Sequence, residues 1–315
     1  MNAVNEFAMS STNQVGIVGV GNMGSGMAQR LLSLGWQVGV CDIDRAKTHV
    51  LERNGAVAHE NPASLTSKFV AVIVCVVDAV QTAQVVSGAA GLLDGARAGG
   101  ACRTVLLCPT IAPQDTERFS ALLGGHGIAC IDAPMSGGPA RALDGSMSLM
   151  VACPAPLFAQ QAGLLAALSS KVFHVSKRVG DGARTKLVNN LLAGVNLVGA
   201  AEVLALAQRM GLDLPTTLGV IEQSSGQSWI GSDRMHRALA NGGAGDWAPR
   251  AHMGLLAKDT RLAIEAATAS GYAAALGQQA ADVFQRALAL GLAAEDDAAV
   301  FKLMQAEGGS QAKTP

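Results

Sequence analysis

The stretch Gln14–Asp42, QVGIVGVGNMGSGMAQRLLSLGWQVGVCD, decides the fold. An apolar, β-rich run (QVGIVGV, Gln14–Val20) leads straight into Gly19-Val20-Gly21-Asn22-Met23-Gly24. Met23, Met27, Leu31 and Leu34 then recur at helical spacing up to Gly35. A second short strand follows at Gln37–Cys41, and Asp42 stands eighteen residues beyond Gly24. Strand, G-x-G-x-x-G, helix, strand and acid is the order of a dinucleotide-binding unit. The glycines permit a tight turn and close approach of a pyrophosphate, whose charge the free N–H groups and dipole of the helix start stabilise. Asp42 is placed to accept hydrogen bonds from the adenosine ribose. In a chain with 37 glycines the glycine pattern alone carries little weight, and the flanking elements supply the rest. The candidate cofactor residues are therefore Gly19, Gly21, Asn22, Met23, Gly24 and Asp42. A carboxylate at Asp42 repels the 2′-phosphate of NADP and favours NAD, although Arg45 partly offsets that repulsion.

Outward from this unit the α/β alternation continues. Phe69–Val77 (FVAVIVCVV) is continuously apolar, as a parallel strand buried on both faces should be. A helix begins at Asp78–Gln81. Arg103–Cys108 reads as a strand ending in Pro109-Thr110, and Ile128–Ala133 as one ending in Pro134-Met135-Ser136-Gly137-Gly138. Ligands of open parallel sheets lie beyond the carboxyl ends of the strands, which makes Val77, Asp78, Thr110, Ser136, Gly137 and Gly138 candidate contacts. Ser-Gly-Gly offers a hydroxyl and unobstructed amides suited to a carboxylate, or else an ordinary glycine turn. Ser146–Ala152 and Lys171–Val175 are further strands around a helix at Pro156–Leu168. No strand-like run recurs after that.

Gly180–Met210 (GDGARTKLVNNLLAGVNLVGAAEVLALAQRM) contains no proline and ends before Gly211, which predicts one helix of about 30 residues, or roughly 45 Å. Gly182, Lys186 and Asn190 fall at i, i+4 and i+8 and share one face, so a gap, an amine and an amide form a row. Shorter helices follow at about 216–223, 228–240, 254–269, 273–290 and 297–305. Lys258-Asp259 on one of them reads, by itself, as solvated surface. Ser224–Trp229 is a break that serves either as a binding loop or as a plain interhelical turn. The organisation expected is a flexible tail over 1–14, a dinucleotide-binding domain over 15–178 and an all-helical domain over 179–315.

Composition narrows the function classes. The chain is 50% hydrophobic and 15% charged, with a net charge of −1 and scattered Lys and Arg, so nucleic acid is not an expected partner. No apolar run reaches the roughly eighteen residues that a membrane span requires, and the N-terminus lacks the basic and apolar regions of a secretory signal. The six cysteines form no C-x-x-C pair, and the six histidines show no ligand spacing. Reduced thiols, a cytoplasmic location and no metal are expected.

Four motifs in order, covering Val15 to about Met304, give the chain its resemblance to the β-hydroxyacid dehydrogenase family, relatives of 3-hydroxyisobutyrate dehydrogenase and tartronate semialdehyde reductase. GIVGVGNMG (Gly16–Gly24) resembles the family's cofactor motif and DAPMSGG (Asp132–Gly138) its substrate motif. GARTKLVNN (Gly182–Asn190) is similar to the catalytic G-x-x-x-K-x-x-x-N, and Lys258-Asp259 to the Lys-Asp of the cofactor and active site. Met135 departs from the usual valine, and Cys108-Pro109 from the usual serines. The resemblance implies an α/β Rossmann-type N-terminal domain with a mostly parallel sheet and an all-α C-terminal domain joined by a long interdomain helix, as in 6-phosphogluconate dehydrogenase. It also implies NAD-dependent oxidation of a short hydroxy acid, with Lys186 as general acid/base and Asn190 orienting the substrate. Ser136, Gly137 and Gly138 would hold its carboxylate, while Thr110, Lys258 and Asp259 would serve the cofactor side. A free lysine has a pKa of about 10.4, so the role requires burial and the cationic nicotinamide to lower it. A homodimer or homotetramer through the helical domain is the implied assembly. The rival readings are a non-catalytic dinucleotide-binding module and an imine reductase, in which this lysine is usually replaced.

Overall fold

The computed structural model describes residues 13–310, so most of the expected N-terminal tail lies outside the described residues. Gln14 already pairs with Gln37 and opens the sheet. By its contacts the chain divides into two compact units, with the division between Lys186 and Leu187.

The first unit opens with β1 (Gln14–Val18), α1 (Asn22–Ser33) and β2 (Gln37–Cys41), in the order the glycine motif demands. α2 (Arg45–Glu52), β3 (Val57–Ala58) and α3 (Pro62–Thr66) follow. Asp44 caps α2 by accepting from the Ala46 N–H, and Asn61 caps α3 by accepting from that of Ser64. β4 (Ala71–Val74), α4 (Ala79–Ser87), α5 (Leu92–Arg97), β5 (Thr104–Leu107), α6 (Pro113–Gly124) and β6 (Ala129–Asp132) complete the parallel part. The last segments are β7 (Met135–Ser136), α7 (Gly138–Asp144), β8 (Ser148–Ala152), α8 (Ala155–Gln160), α9 (Ala162–Leu168) and β9 (Lys171–Ser176).

These strands form one sheet in the order β3-β2-β1-β4-β5-β6-β8-β7, with β9 paired to β8. β8 runs antiparallel to β6 and β7, and the other pairs are parallel. Apolar clusters cover both faces, one built on Ile17, Leu31 and Ile131, the other on Val72, Leu107 and Phe119. The chain order reverses between β1 and β4, which opens a crevice at their carboxyl ends.

α10 (Asp181–Arg209) carries the chain across the division as a single helix of 29 residues, about 43 Å long. Its length and a mean hydropathy of 1.6 over its most apolar window would suffice to cross a membrane, which corrects the expectation that no such segment exists. Leu197, Ala201 and Leu204 of this helix are buried in the core of the second unit. That unit adds α11 (Leu214–Glu222), α12 (Trp229–Ala238), α13 (Met253–Ala269), α14 (Ala275–Ala289) and α15 (Val300–Ser310). Phe284, Met253 and Phe301 lie at the centre of its core. Among the described residues its one β-type contact is an isolated bridge between His252 and Asp296.

Ala90 adopts a φ of 55°, a left-handed conformation that costs a Cβ-bearing residue energy. Its N–H donates to Asp94 Oδ2 (3.0 Å), and its carbonyl accepts from Ala63 N–H (2.9 Å), so the turn is held in place. Ala90→Gly is expected to stabilise the protein by about 0.5–1 kcal/mol in urea unfolding.

Candidate active site

The nucleotide loop is built by β1, α1 and β2. Gly19 has a φ of 87°, and a Cβ there would run into the Cys75 carbonyl, so only glycine lets the loop pass the end of β4. Above Gly21 a Cβ would meet nothing within 4 Å. No side chain caps the start of α1, which leaves the amides of Asn22 and Met23 available for phosphate oxygens. Gly24 is buried in the first turn of that helix. A groove of about 380 Å³ runs past Gly21 and Asn22 between Lys47 and Pro139. Asp42 Oδ2 accepts from Val20 N–H (2.8 Å) and Oδ1 from Asp44 N–H (2.9 Å), so the acid also ties the loop to the end of β2. A carboxylate accepts about four hydrogen bonds, which leaves capacity for a ribose diol. These residues fit a dinucleotide.

The other strand-end candidates are arranged in the same unit. Val77 is exposed, and Asp78 caps α4 by accepting from Gln81 N–H at 2.8 Å. The apolar run Phe69–Val77 yields a strand only over Ala71–Val74, because Cys75–Val77 already belongs to the loop. Thr110 is half-buried just beyond β5. Ser136 closes β7, and Gly137 (φ 135°) and Gly138 (φ 78°) turn the chain into α7.

Asp132, at the end of β6, is only 1% exposed. Its Oδ2 accepts from Gly180 N–H (2.8 Å) and Ala183 N–H (3.0 Å) at the start of α10, and the nearby Gly182 amide also favours the charged carboxylate. Gly182 does not leave a gap toward a substrate, as the row suggested. A Cβ there would lie 2.7 Å from the Met150 carbonyl and 2.9 Å from Asp132 Oδ1, so the space is filled by the sheet. Sequence reading included Asp132 in the DAPMSGG motif but gave it no role of its own, though its position before Pro134-Met135-Ser136 marks a strand end. Lys186 is 7% exposed and Asn190 8%, so neither is the surface residue common on long helices.

In the helical unit Asn190 Nδ2 donates to Asp259 Oδ2 (2.6 Å), and Lys258 Nζ lies 2.8 Å from Asp259 Oδ1. Lys258-Asp259 is thus largely buried, contrary to the solvated surface its sequence suggests. Asn189 Nδ2 donates to Asn190 Oδ1 (3.0 Å). Ser228 caps α12 by accepting from Gly231 N–H, so the Ser224–Trp229 break ends in a helix start. Another feature escaped sequence reading. Asp296 and Asp297 are buried against Arg237 (2.8 Å) and Arg234 (2.7 Å), a network signalled only by adjacent acids in an alanine-rich run. Among the described residues no cluster of His, Cys, Asp and Glu could hold a metal.

Residues 14–176 match the family model of the NAD binding domain of 6-phosphogluconate dehydrogenase. Residues 180–304 match that described as the NAD-binding region of NADP-dependent 3-hydroxyisobutyrate dehydrogenase. With the nucleotide loop and the helical unit, these matches define an NAD(P)-dependent oxidoreductase acting on CH–OH, and the chain belongs to the β-hydroxyacid dehydrogenase family. It is 35% identical to the L-threonate dehydrogenase of Cupriavidus necator, over 93% of this chain and 96% of that one. It is 30% identical to the mitochondrial 3-hydroxyisobutyrate dehydrogenase of Bos taurus, over 97% and 90%. The crystal structure of 3-hydroxyisobutyrate dehydrogenase from Salmonella typhimurium superposes with a TM-score of 0.82 at 31% identity, covering 92% of this chain and 99% of that one.

Burial pushes the Asp132 carboxyl up to about 6, against the amides of Ala183, Gly180 and Gly182, which pull it down, and with a smaller rise from Asp181. The folded value exceeds the ordinary 3.8, so the folded chain binds more protons between about pH 4 and 6 and this group's contribution to stability falls as pH rises through that window. The fall amounts to roughly 3 kcal/mol. Urea unfolding of the wild type from pH 4 to 7 is expected to show this slope, and Asp132→Asn to lack it.

Proposed function

We propose that the protein oxidises a short hydroxy acid, L-threonate first, to its 2-oxo product, with Lys186 as general acid/base. The observation that carries this reading is the burial of Lys186 and Asn190 one turn apart on α10, with Asn190 held by Asp259 at 2.6 Å. A bound nicotinamide supplies the hydride acceptor. During oxidation the Lys186 amine takes the hydroxyl proton, and during reduction it returns it. Asn190 orients the substrate with the second N–H of its amide and the remaining lone pair of its Oδ1. Ser136 and the amides of Gly137 and Gly138 receive the substrate carboxylate. Thr110, Lys258 and Asp259 serve the cofactor side.

L-Threonate is favoured by the similarity to the Cupriavidus necator enzyme. Three further stretches also resemble L-threonate dehydrogenases: NNLLAGVNLVGAAEVLALA, GQSWIGSDRM and Glu295–Val300. 3-Hydroxyisobutyrate is the second reading, favoured by the likeness to the Salmonella structure. The Asp42 carboxylate supports NAD over NADP. Six unpaired thiols support a cytoplasmic setting. Exposed apolar Val188, Leu192 and Leu206 on α10 support a homodimer or homotetramer through the helical unit.

The test is NADH formation at about pH 9, chosen to favour the free amine, with L-threonate, D-threonate, the glycerates and 3-hydroxyisobutyrate. L-Threonate is expected to give the highest kcat/KM, rising with pH as the amine loses its proton, and Lys186→Ala to lower kcat about 10²–10⁴-fold. A pH-independent rate from 6 to 10, with chemistry rate-limiting, would contradict the role of Lys186. NADP is expected to serve at least about tenfold less well than NAD, and Asp42→Ala to narrow that ratio by raising the relative kcat/KM for NADP.

A further inference from the structure

We propose that Asp132 is a positioning residue for the reaction: by gathering the first amides of α10 it fixes the height and rotation of that helix at the end of β6, and with them the place of the Lys186 amine. The inference rests on the reading of Lys186 as the acid/base group.

The carboxylate starts from a fixed point, because the Asp132 backbone is paired in register with Leu107 of β5 on one side and with Ala152 of β8 on the other. It receives the amides of Gly180 and Ala183 at 2.8 and 3.0 Å, with Gly182 packed close against its other oxygen. These amides have no partner inside the helix, so whatever accepts from them sets where the helix begins. Gly182 completes the fit: a side chain there would push the first turn off Asp132 and Met150. Lys186 follows Gly182 by four residues, one turn higher on the same face.

The other ties at this end are weaker. Arg184 pairs with Glu117 at 2.7 Å, and Arg178 with Asp181 at 2.8 Å, but all but Asp181 of these side chains are well exposed and solvent screens the pairs. The buried carboxylate is the tie that solvent does not loosen. A shift of about 1 Å in a group that moves a proton is enough to cost roughly 10²-fold in rate.

The experiment uses the full chain and the variants Asp132→Ala, Asp132→Asn and Lys186→Ala. Asp132→Ala is expected to lower kcat about 10²-fold while the KM for NAD and the Kd for NADH stay within about twofold. Asp132→Asn keeps one oxygen for Gly180 and Ala183 but sets an NH2 against Gly182, and should recover about tenfold of that loss. Hydrogen exchange at residues 180–186 should quicken in the alanine variant, with the strand amides unchanged. A kcat within about threefold of wild type in Asp132→Ala, or a loss matched by an equal loss of NADH binding, overturns the proposal. If the alanine variant does not fold, Asp132→Asn decides: a lowered kcat with unchanged NADH binding upholds the role, and a wild-type kcat overturns it. If Lys186→Ala turns over normally, the Lys186 reading fails. Exchange at 180–186 then judges the anchor by itself, quickened exchange upholding it and unchanged exchange overturning it.

Discussion

A carboxylate buried at the tip of a β-strand is tolerable only where dipoles point at it, and here they come from the opening turn of α10. Asp132 lacks solvent, and the amides of Gly180, Gly182 and Ala183 lack helical partners. Each deficit answers the other. Burial nevertheless pushes the carboxyl up to about 6, so these amides offset only part of the burial penalty. The helical repeat then places Lys186 and Asn190 without further instruction. A related device recurs at the nucleotide loop, where Asp42 at the end of β2 accepts from the Val20 and Asp44 amides. In both places an aspartate just at or beyond a strand end converts loose backbone into fixed geometry.

Much of the fold could be read from local pattern. Strand β2 lies at Gln37–Cys41, where alternation and the preceding Gly35 put it, and α10 spans Asp181–Arg209 between its predicted glycine boundaries. Strand–helix–strand order over Gln14–Asp42 follows from side-chain periodicity and turn chemistry, which are properties of neighbours in sequence. Features that depend on distant partners were less legible. The apolar stretch at Phe69–Val77 overstates its strand, because hydrophobic character marks burial and loop lining as well as pairing. Lys258-Asp259 reads by itself as surface; the family resemblance alone marks it otherwise, and the contact that buries it, Asn190 donating to Asp259, lies 69 positions away in the chain. The tie made by Asp132 and the Arg234–Arg237–Asp296–Asp297 network are silent for the same reason, since a buried acid's partners are recognised only from what surrounds it.

The long helix shows how composition misleads in the opposite direction. α10 is apolar enough to resemble a bilayer span, yet its buried positions include an amine and an amide. Leu197, Ala201 and Leu204 account for one apolar side through the core of the helical unit. The Asn190 amide survives in such surroundings because it has a carboxylate partner at 2.6 Å. An isolated hydropathy profile averages over these roles and loses them.

The cysteines lead to a practical point about protein chemistry. Five of the six are buried, and burial pushes the thiols of Cys41, Cys75, Cys102, Cys130 and Cys153 up to about 11 or 12 and that of Cys108 well above its ordinary value. A thiol held protonated is a poor nucleophile, so maleimides and peroxide find little to attack in the folded chain. The protein is in effect a cysteine-silent scaffold. A single cysteine installed on its surface would be the one sulfur that takes a fluorophore or spin label, with no need to remove the native six first.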